Sequence, residues 1–260
     1  MTGLTLPVQV GVLARRSVVR TLRQPAMVIP SLVFPLLLLS IYASGLDSAT
    51  QLPGFPTDSY LQFALAITFV QGALFSANSA GTNLASDIES GFLNRLSLTP
   101  LRRVALMMGQ LAGIIALGLI QALTFLVVGL AFGAGIETGL AGAIVIVAFS
   151  LLISLAFGCI GAFVALRSGS GEAVQGVFPL FFAALFLSSM SLPRDLIEQD
   201  WFRTVADWNP VSYMLECIRS LMISGWDPEA LALGFACAGA IAGIALIAAS
   251  SALRTRMVRT

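Results

Sequence analysis

The feature that most restricts the fold of this chain is a series of long apolar runs, which leaves few charges for a surface. Charged residues make up 10% of the sequence and hydrophobic residues 57%, and the mean hydropathy is +0.92. A soluble domain carries about 25% charged residues, so this composition cannot cover a water-exposed surface. A helix needs about 20 apolar residues to cross the hydrocarbon core of a bilayer. We therefore predict an all-α membrane protein.

We predict one transmembrane domain over residues 1–260 with six membrane spans. Their predicted ranges are 26–45, 60–84, 104–133, 139–166, 173–191 and 229–252. Before the last span, residues 192–228 are too long for a simple link and predict an outer, partly re-entrant helical hairpin, broken at Asn209-Pro210 and carrying Arg219. Backbone near lipid must satisfy its own hydrogen bonds, which favours a helical hairpin over an extended loop.

The arginines predict the orientation in the membrane. All 14 basic residues are arginine, and cytoplasmic segments of membrane proteins are enriched in them. With the N-terminus inside, three fall on outer segments, namely Arg194, Arg203 and Arg219. The other eleven fall on inner segments: Arg15, Arg16, Arg20, Arg23, Arg95, Arg102, Arg103, Arg167, Arg254, Arg256 and Arg259. Every Trp and Tyr maps to the outer interface, which amphipathic rings prefer. We predict a multi-pass protein of the cell membrane with both termini cytoplasmic.

The first 24 residues combine arginines with apolar residues. Arg16, Arg20 and Arg23 share one face of a helix, and Arg15 lies beside them. This pattern predicts an amphipathic helix over 1–24 that lies in the inner interface of the membrane. The arginines interrupt the apolar segment, so we expect no cleaved signal peptide here.

The stretch 86–103 places two acids and three arginines between two apolar runs. Ile88, Phe92 and Leu96 would form one apolar stripe on a helix over 86–98, and Thr99-Pro100 would end that helix. A short helix with an apolar stripe and charged edges suits a groove in a partner protein. The alternative is a solvated loop that only contributes positive charge to the inner side.

The second predicted span is polar for a membrane helix. Gln71, Phe75, Asn78 and Thr82 share one face. They would either line a passage or hold the bundle together through hydrogen bonds between helices. In the fifth span Phe178, Phe181, Phe182 and Phe186 would contact either an apolar substrate or lipid and neighbouring helices. Glycine pairs at GxxxG spacing, such as Gly109 and Gly113, permit helices to approach closely.

The sequence lacks the residues that several functional classes of protein require. No predicted span has an ionisable residue near its centre, which argues against ion-coupled carriers. There is no HExxH motif, no nucleophile–His pair and no GxxxxGK[ST] phosphate loop. There is no His, and Cys159, Cys217 and Cys237 lack metal-ligand spacing. We predict a protein that is not an enzyme, with no catalytic residues, no metal and no cofactor of its own, and no nucleic-acid partner.

Two segments resemble a known family. Glu89-Ser-Gly-Phe-Leu-Asn-Arg-Leu-Ser-Leu-Thr-Pro100, followed by Arg103 and Gly109, resembles the pattern between spans two and three of ABC type-2 exporter permeases. Trp208-Asn-Pro-Val-Ser-Tyr-Met-Leu-Glu-Cys-Ile-Arg219 resembles that family's Asn-Pro segment before the last span. Ser90-Gly91 departs from the Gly-Thr of many members. The predicted layout also matches, so the resemblance covers essentially the whole chain.

The resemblance implies a permease that is paired with an identical or paralogous permease and docked by two separate ATP-binding cassette subunits, which hold MgATP. Segment 86–98 would be the coupling helix that enters a groove of the ATPase, and the N-terminal helix would brace it. The residues implied in ATPase coupling are Asp87, Ile88, Glu89, Gly91, Phe92, Arg95, Leu96, Thr99 and Pro100.

By size and layout the chain resembles the daunorubicin/doxorubicin-resistance type, which implies a lipophilic drug-like or lipid substrate. An exporter of lipid-linked polysaccharide on the same architecture is the alternative. A membrane-embedded enzyme or scaffold and a secondary carrier are further alternatives. The enzyme or scaffold would need clustered catalytic polar residues, and the carrier would need charges at the membrane midplane.

Overall fold

The computed structural model describes residues 5–97 and 102–258, and within those ranges every long regular element is an α-helix and no strand forms. This confirms the prediction of an all-α protein. The ten α-helices of the described ranges are α1 (Leu6–Leu22), α2 (Pro25–Gly45), α3 (Tyr60–Glu89), α4 (Phe92–Ser97), α5 (Arg103–Ala131), α6 (Gly139–Ser168), α7 (Gly171–Phe186), α8 (Asp200–Trp208), α9 (Pro210–Arg219) and α10 (Pro228–Val258).

Among the described residues, five helices are long and apolar enough to cross a membrane, namely α2, α3, α5, α6 and α10. The chain is a multi-pass membrane protein. The predicted span over 173–191 is observed as α7, which has 16 residues. At 1.5 Å per residue α7 is about 24 Å long, which is shorter than the roughly 30 Å hydrocarbon core. The sixth crossing stays a prediction that depends on α7.

Two spans extend beyond their predicted ends by more than one helical turn. The span predicted over 60–84 continues to Glu89, and the span predicted over 229–252 continues to Val258. Hydropathy falls where charged residues begin, whereas helical hydrogen bonding does not depend on hydropathy. Charged residues therefore form the last turns of these helices and extend them past the apolar core.

Helix α3 is the central element of the bundle. Its most apolar stretch is 83% buried, against 17% for the corresponding stretches of α2 and α10. It packs most closely on α6, where a Cβ on Gly81 would lie 2.8 Å from the carbonyl oxygen of Gly161. A Cβ on Gly161 would in turn overlap the carbonyl oxygen of Ala77. The two backbones therefore meet without intervening side chains, as small residues allow in membrane helices.

The predicted hairpin over 192–228 is helical and breaks at the predicted position. Asn209 caps α9 by accepting a hydrogen bond from the backbone N–H of Val211 (2.9 Å). Its side-chain amide donates to the carbonyl oxygen of Ala184, at the end of α7 (2.6 Å). Pro210 occupies the first position of α9, where its missing N–H costs no helical hydrogen bond.

Arg219 lies on α9, within the predicted hairpin, and it is buried there, with 6% of its surface exposed. Its guanidinium donates to the backbone carbonyls of Phe63 (3.2 Å), Ser189 (2.6 Å) and Met190 (2.6 Å). It also stacks over the Phe63 ring at 3.5 Å. These backbone acceptors and the ring take the place of water, so a charge can be buried here.

An ion pair joins the two sides of the hairpin. Arg194, which follows α7, donates to Glu216 of α9 at 2.5 Å. Burial raises the pKa of the Glu216 carboxyl above its usual range, and the adjacent Arg194 offsets only part of that effect.

Three exposed tryptophans, Trp201, Trp208 and Trp226, lie at the end of the bundle that carries the hairpin. We call it the tryptophan end, and the end where α3 meets α4 the arginine end.

Candidate functional site

The predicted coupling helix over 86–98 is divided into two helices. Helix α3 ends at Glu89, and α4 begins at Phe92. Gly91 lies between them in the left-handed region (φ +68°), and its N–H donates to the carbonyl oxygen of Ile88 (3.0 Å). A glycine in this conformation is a common way to end a helix. The long helix α3 therefore turns sharply into α4; we call Asp87–Leu96 the elbow.

The carboxylate of Asp87 is held by two arginines of α1. Arg16 donates to both carboxylate oxygens (3.1 and 2.8 Å), and Arg20 donates to Oδ1 (2.6 Å). Asp87 is 5% exposed, whereas both arginines keep part of their side chains accessible. Charge-assisted hydrogen bonds in a bidentate arrangement are among the strongest in proteins. They fasten α1 to the last turn of α3.

Arg16 contacts both sides of the turn. Besides its bonds to Asp87 at the end of α3, its guanidinium lies 3.9 Å from the centre of the Phe92 ring at the start of α4. Such a cation–π contact contributes about 0.5–2 kcal/mol, depending on exposure. Since one side chain touches the residues before and after Gly91, it fixes the angle between α3 and α4.

The second acid of the elbow reaches a different helix. The Glu89 carboxylate accepts a hydrogen bond from the backbone N–H of Gly171, the first residue of α7 (3.0 Å). A negative charge is stabilised at a helix N-terminus, where N–H groups lack intrahelical partners. The two neighbouring acids of the elbow thus bind α1 and α7, on two sides of α3.

The predicted apolar stripe does not form one exposed helical face. Ile88 is 8% exposed and lies on α3, whereas Phe92 and Leu96 lie on α4. Ile88 belongs to a core cluster at the arginine end with Leu93, and Leu96 packs on that cluster. The turn at Gly91 causes this difference, because it folds α4 back against the bundle. Arg95 is exposed, and Thr99 and Pro100 lie outside the described residues.

Helix α1 packs tightly on α5 through the glycine pair noted in the sequence. A Cβ on Gly109 would lie 2.8 Å from the Cβ of Leu13, and one on Gly113 would lie 3.0 Å from the hydroxyl of Ser17. The backbone N–H of Arg102 also donates to the side chain of Gln9 (3.1 Å). The glycine pair Gly109 and Gly113 therefore allows the close contact between α1 and α5. The sequence alone did not indicate that α1 is the partner.

The four predicted arginines of α1 are divided between two environments. Arg16 and Arg20 bind Asp87, whereas Arg15 and Arg23 are exposed. Exposed apolar side chains such as Val12 lie on the same helix. This distribution agrees with a helix that has one side on the bundle and another towards the membrane interface.

The predicted polar face of α3 lies in mixed surroundings. Gln71 is fully buried, and neither its amide nitrogen nor its amide oxygen has a hydrogen-bond partner among the described residues. The Thr82 hydroxyl donates within its own helix to the carbonyl oxygen of Asn78 (2.8 Å). The polar contact between α3 and α5 is instead made by neighbouring residues, with Ser76 donating to Gln121 (3.0 Å).

Phe75, on the same face, belongs to an aromatic cluster that joins three helices. Its ring centre lies 5.8 Å from Phe34 of α2, 5.3 Å from Phe178 and 6.2 Å from Phe182, both of α7. Phe34 is 41% exposed and Phe186, which contacts Phe182, is 51% exposed. This aromatic cluster (Phe34, Phe75, Phe178, Phe182 and Phe186) is thus partly open at the surface between α2 and α7. Phe181 points elsewhere and contacts Phe157 of α6 (5.6 Å).

Comparison with known proteins gives two results. The model of the family described as "ABC-2 type transporter" matches residues 8–223, which include the elbow, the aromatic cluster and most of the hairpin. A protein named "Putative transport permease ycf38" from Cyanophora paradoxa is 27% identical to this chain over 212 residues, which cover 81% of this chain and 72% of that protein.

Proposed function

Because the chain belongs to the ABC-2 type transporter family, we propose that it is the permease subunit of an ATP-driven exporter whose ATP is hydrolysed on a separate protein. Two ATPase subunits, each with MgATP, would serve two permeases, either two copies of this chain or this chain and a paralogue. The protein would lie in the cell membrane with both termini in the cytoplasm, which places the elbow on the cytoplasmic side.

The observation that carries this proposal is the elbow with its two anchored acids. Asp87 is bound to α1 and Glu89 to α7. Between α3 and α4 lies a two-residue turn. A force applied to α4 would therefore be transmitted to α1, α3 and α7 at once. Closely packed helices transmit strain with little internal rearrangement.

The aromatic cluster is the candidate substrate path. It lies between α2, α3 and α7. Helix α7 is bound to the elbow through Glu89, and α3 continues directly into the elbow. A movement of α7 relative to α3 would change the separation of Phe178 and Phe75, now 5.3 Å. Apolar and aromatic walls select lipophilic ligands, which supports a drug-like or lipid substrate of the kind that exporters of the daunorubicin/doxorubicin-resistance type move.

The test is reconstitution with the ATPase that co-purifies with the chain. ATP should drive efflux of a lipophilic dye or a fluorescent phospholipid from proteoliposomes. Replacing Phe75 and Phe182 by alanine should reduce efflux several-fold while ATP hydrolysis continues. Phe235→Ala, which removes an aromatic side chain of α10 outside the cluster, is the matched control. If no ATPase co-purifies, or if efflux does not depend on ATP, the proposal is wrong. Transport of a lipid-linked oligosaccharide alone would refute the substrate class.

A further inference from the structure

We propose that the groove between α5 and α10 at the arginine end binds an anionic phospholipid. This goes beyond the proposed function, because it concerns the lipid-facing surface of the bundle and requires neither ATP nor a partner permease. The groove has a volume of about 520 Å³, within the range of about 300–1,000 Å³ that is typical of sites for small molecules. Its apolar walls include Met107, Met108, Leu111 and Leu246.

Two arginines lie at one end of this groove. Arg103 begins α5, Arg254 belongs to the last turns of α10, and both line the groove. Both are exposed, and neither has an acidic partner among the described residues. Arg16 and Arg20, at the same end of the bundle, are bound to Asp87. Within the described part of the chain, no carboxylate therefore binds the groove arginines, and a guanidinium binds a phosphate group with two parallel hydrogen bonds.

The combination of charge and apolar wall identifies the occupant. A soluble anion would use the two arginines but not the methionines and leucines. A neutral lipid would use the apolar walls but would leave the charges unmatched. An acidic phospholipid matches both, with its phosphate at Arg103 and Arg254 and an acyl chain along Met108 and Leu246. Basic pockets between transmembrane helices are known to bind acidic headgroups.

The position of the groove agrees with a lipid. Both helices that form it expose apolar side chains: Met108 on α5 is 48% exposed, and Ile244 and Ile247 on α10 are 69% and 72% exposed. In a bilayer these side chains face hydrocarbon, so acyl chains can enter from the side. A second copy of this chain would have to supply an acid to the two arginines, and that is an alternative outcome of the test.

The experiment measures quenching of a single tryptophan by brominated lipids. Trp201, Trp208 and Trp226 are replaced by phenylalanine, and Met108→Trp places the probe in the groove. The purified chain is reconstituted with brominated phosphatidylglycerol or brominated phosphatidylcholine. We expect phosphatidylglycerol to bind at the probe about fivefold more tightly for each arginine, since each contributes about 1 kcal/mol. High salt should weaken that preference.

Two variants make the test specific. Arg103→Gln with Arg254→Gln should abolish the preference for phosphatidylglycerol. Arg167→Gln removes an exposed arginine from outside the groove and should leave the preference intact. With the probe at Ile144→Trp, an exposed position on α6 away from the groove, both lipids should quench equally.

The inference is overturned if the two lipids bind equally at Met108→Trp or if the preference survives the loss of both arginines. Absence of quenching by either lipid would also overturn it, because a protein would then cover the groove. Thermal stabilisation of the chain with its natural tryptophans gives an independent readout. Phosphatidylglycerol should raise the Tm of the unchanged protein more than that of the Arg103→Gln, Arg254→Gln variant. Equal shifts would contradict the proposal.

Discussion

Asp87 and Arg20 are 67 residues apart in the chain, yet the carboxylate Oδ1 of Asp87 lies 2.6 Å from a guanidinium nitrogen of Arg20. This bond ties the N-terminal helix to the end of the most buried helix of the bundle. It also lies directly beside the turn into α4. The position of α1 is therefore coupled to the position of the elbow, which is the basis of the proposed transmission of force.

The turn at Gly91 gives the first prediction. A Cβ at this position would meet no atom within 4 Å, so only the backbone conformation (φ +68°) requires glycine. Gly91→Ala should cost about 1 kcal/mol and lower the Tm by a few degrees. Gly91→Asn should cost less, because asparagine tolerates this conformation. Gly176→Ala, in α7 with equal space and an ordinary φ, is the matched control. Equal Tm values for Gly91→Ala and Gly176→Ala would contradict the account.

The contact between α1 and α5 gives the second prediction. Gly109→Leu should push α1 away from α5, because even a Cβ there would lie 2.8 Å from Leu13. Overpacking of this kind costs about 1–3 kcal/mol. A disulfide between cysteines introduced at Ser17 and Gly113 should form readily in the otherwise unchanged protein and poorly in the Gly109→Leu variant. Gly239→Leu on α10 has open space and should have no effect. Efficient cross-linking in all three proteins would refute the close contact.

These first predictions show what the sequence could and could not reveal. The apolar runs predicted the long helices, and Asn209-Pro210 predicted the break in the hairpin, because both signals are local. The glycine pair Gly109 and Gly113 predicted a close helix contact but not its partner. The family resemblance implied that the N-terminal helix braces segment 86–98. The particular bonds to Asp87 were not predictable from the residues themselves, because they join positions 67 and 71 residues apart.

Two features were not predicted, one for a local reason and one because it depends on distant parts of the chain. The stripe of Ile88, Phe92 and Leu96 assumed one uninterrupted helix, whereas Gly91 stops it. The Ser-Gly pair before Phe92 was the available signal for this stop. Arg219 was placed in the outer hairpin, but its burial was not predicted; three backbone carbonyls and a ring enclose it. Such a set of acceptors exists only once the hairpin has folded.

Arg219 gives the third prediction. Arg219→Met keeps the volume but leaves the carbonyls of Ser189 and Met190, which lie outside the helices, without their donor. Each unsatisfied buried acceptor costs about 1–3 kcal/mol, so we expect a loss of several kcal/mol and little folded protein after size-exclusion chromatography. Arg219→Lys should be intermediate, because an ammonium lacks the planar fork. Arg203→Met, at an exposed arginine paired with Asp195, should fold normally. A folded, heat-stable Arg219→Met variant would contradict the structural role.

The orientation in the membrane gives the fourth prediction. In a background without Cys159, Cys217 and Cys237, a cysteine at Asp200 should react with an impermeant thiol reagent added to intact cells. A cysteine at Asn94 should react only after the membrane is permeabilised. The reason is that the membrane-spanning helix α3 separates the elbow, which contains Asn94, from the tryptophan end, which contains Asp200. The opposite labelling pattern would reverse the predicted orientation and remove the elbow from the cytoplasm.

The fifth prediction concerns the hydrogen bonds between Asp87 and the two arginines of α1. Asp87→Asn should let α1 separate from the elbow while the helices still insert, because Arg16 and Arg20 retain access to solvent. Arg20→Gln should have a smaller effect, because Arg16 keeps its two hydrogen bonds to Asp87. Since the two substitutions break one interaction, their effects should not add. Asp195→Asn, which removes the partner of Arg203 near the tryptophan end, is the control.

The most direct test is the amount of dye exported per ATP hydrolysed in proteoliposomes that contain the permease and its ATPase. Coupling free energies between sites are typically about 1–3 kcal/mol. We therefore predict that Asp87→Asn lowers this ratio at least about fivefold, that Arg20→Gln lowers it less because Arg16 still binds Asp87, and that the double variant is no worse than Asp87→Asn. An unchanged ratio in Asp87→Asn, with transport and ATP hydrolysis both intact, would contradict the role of the elbow in coupling.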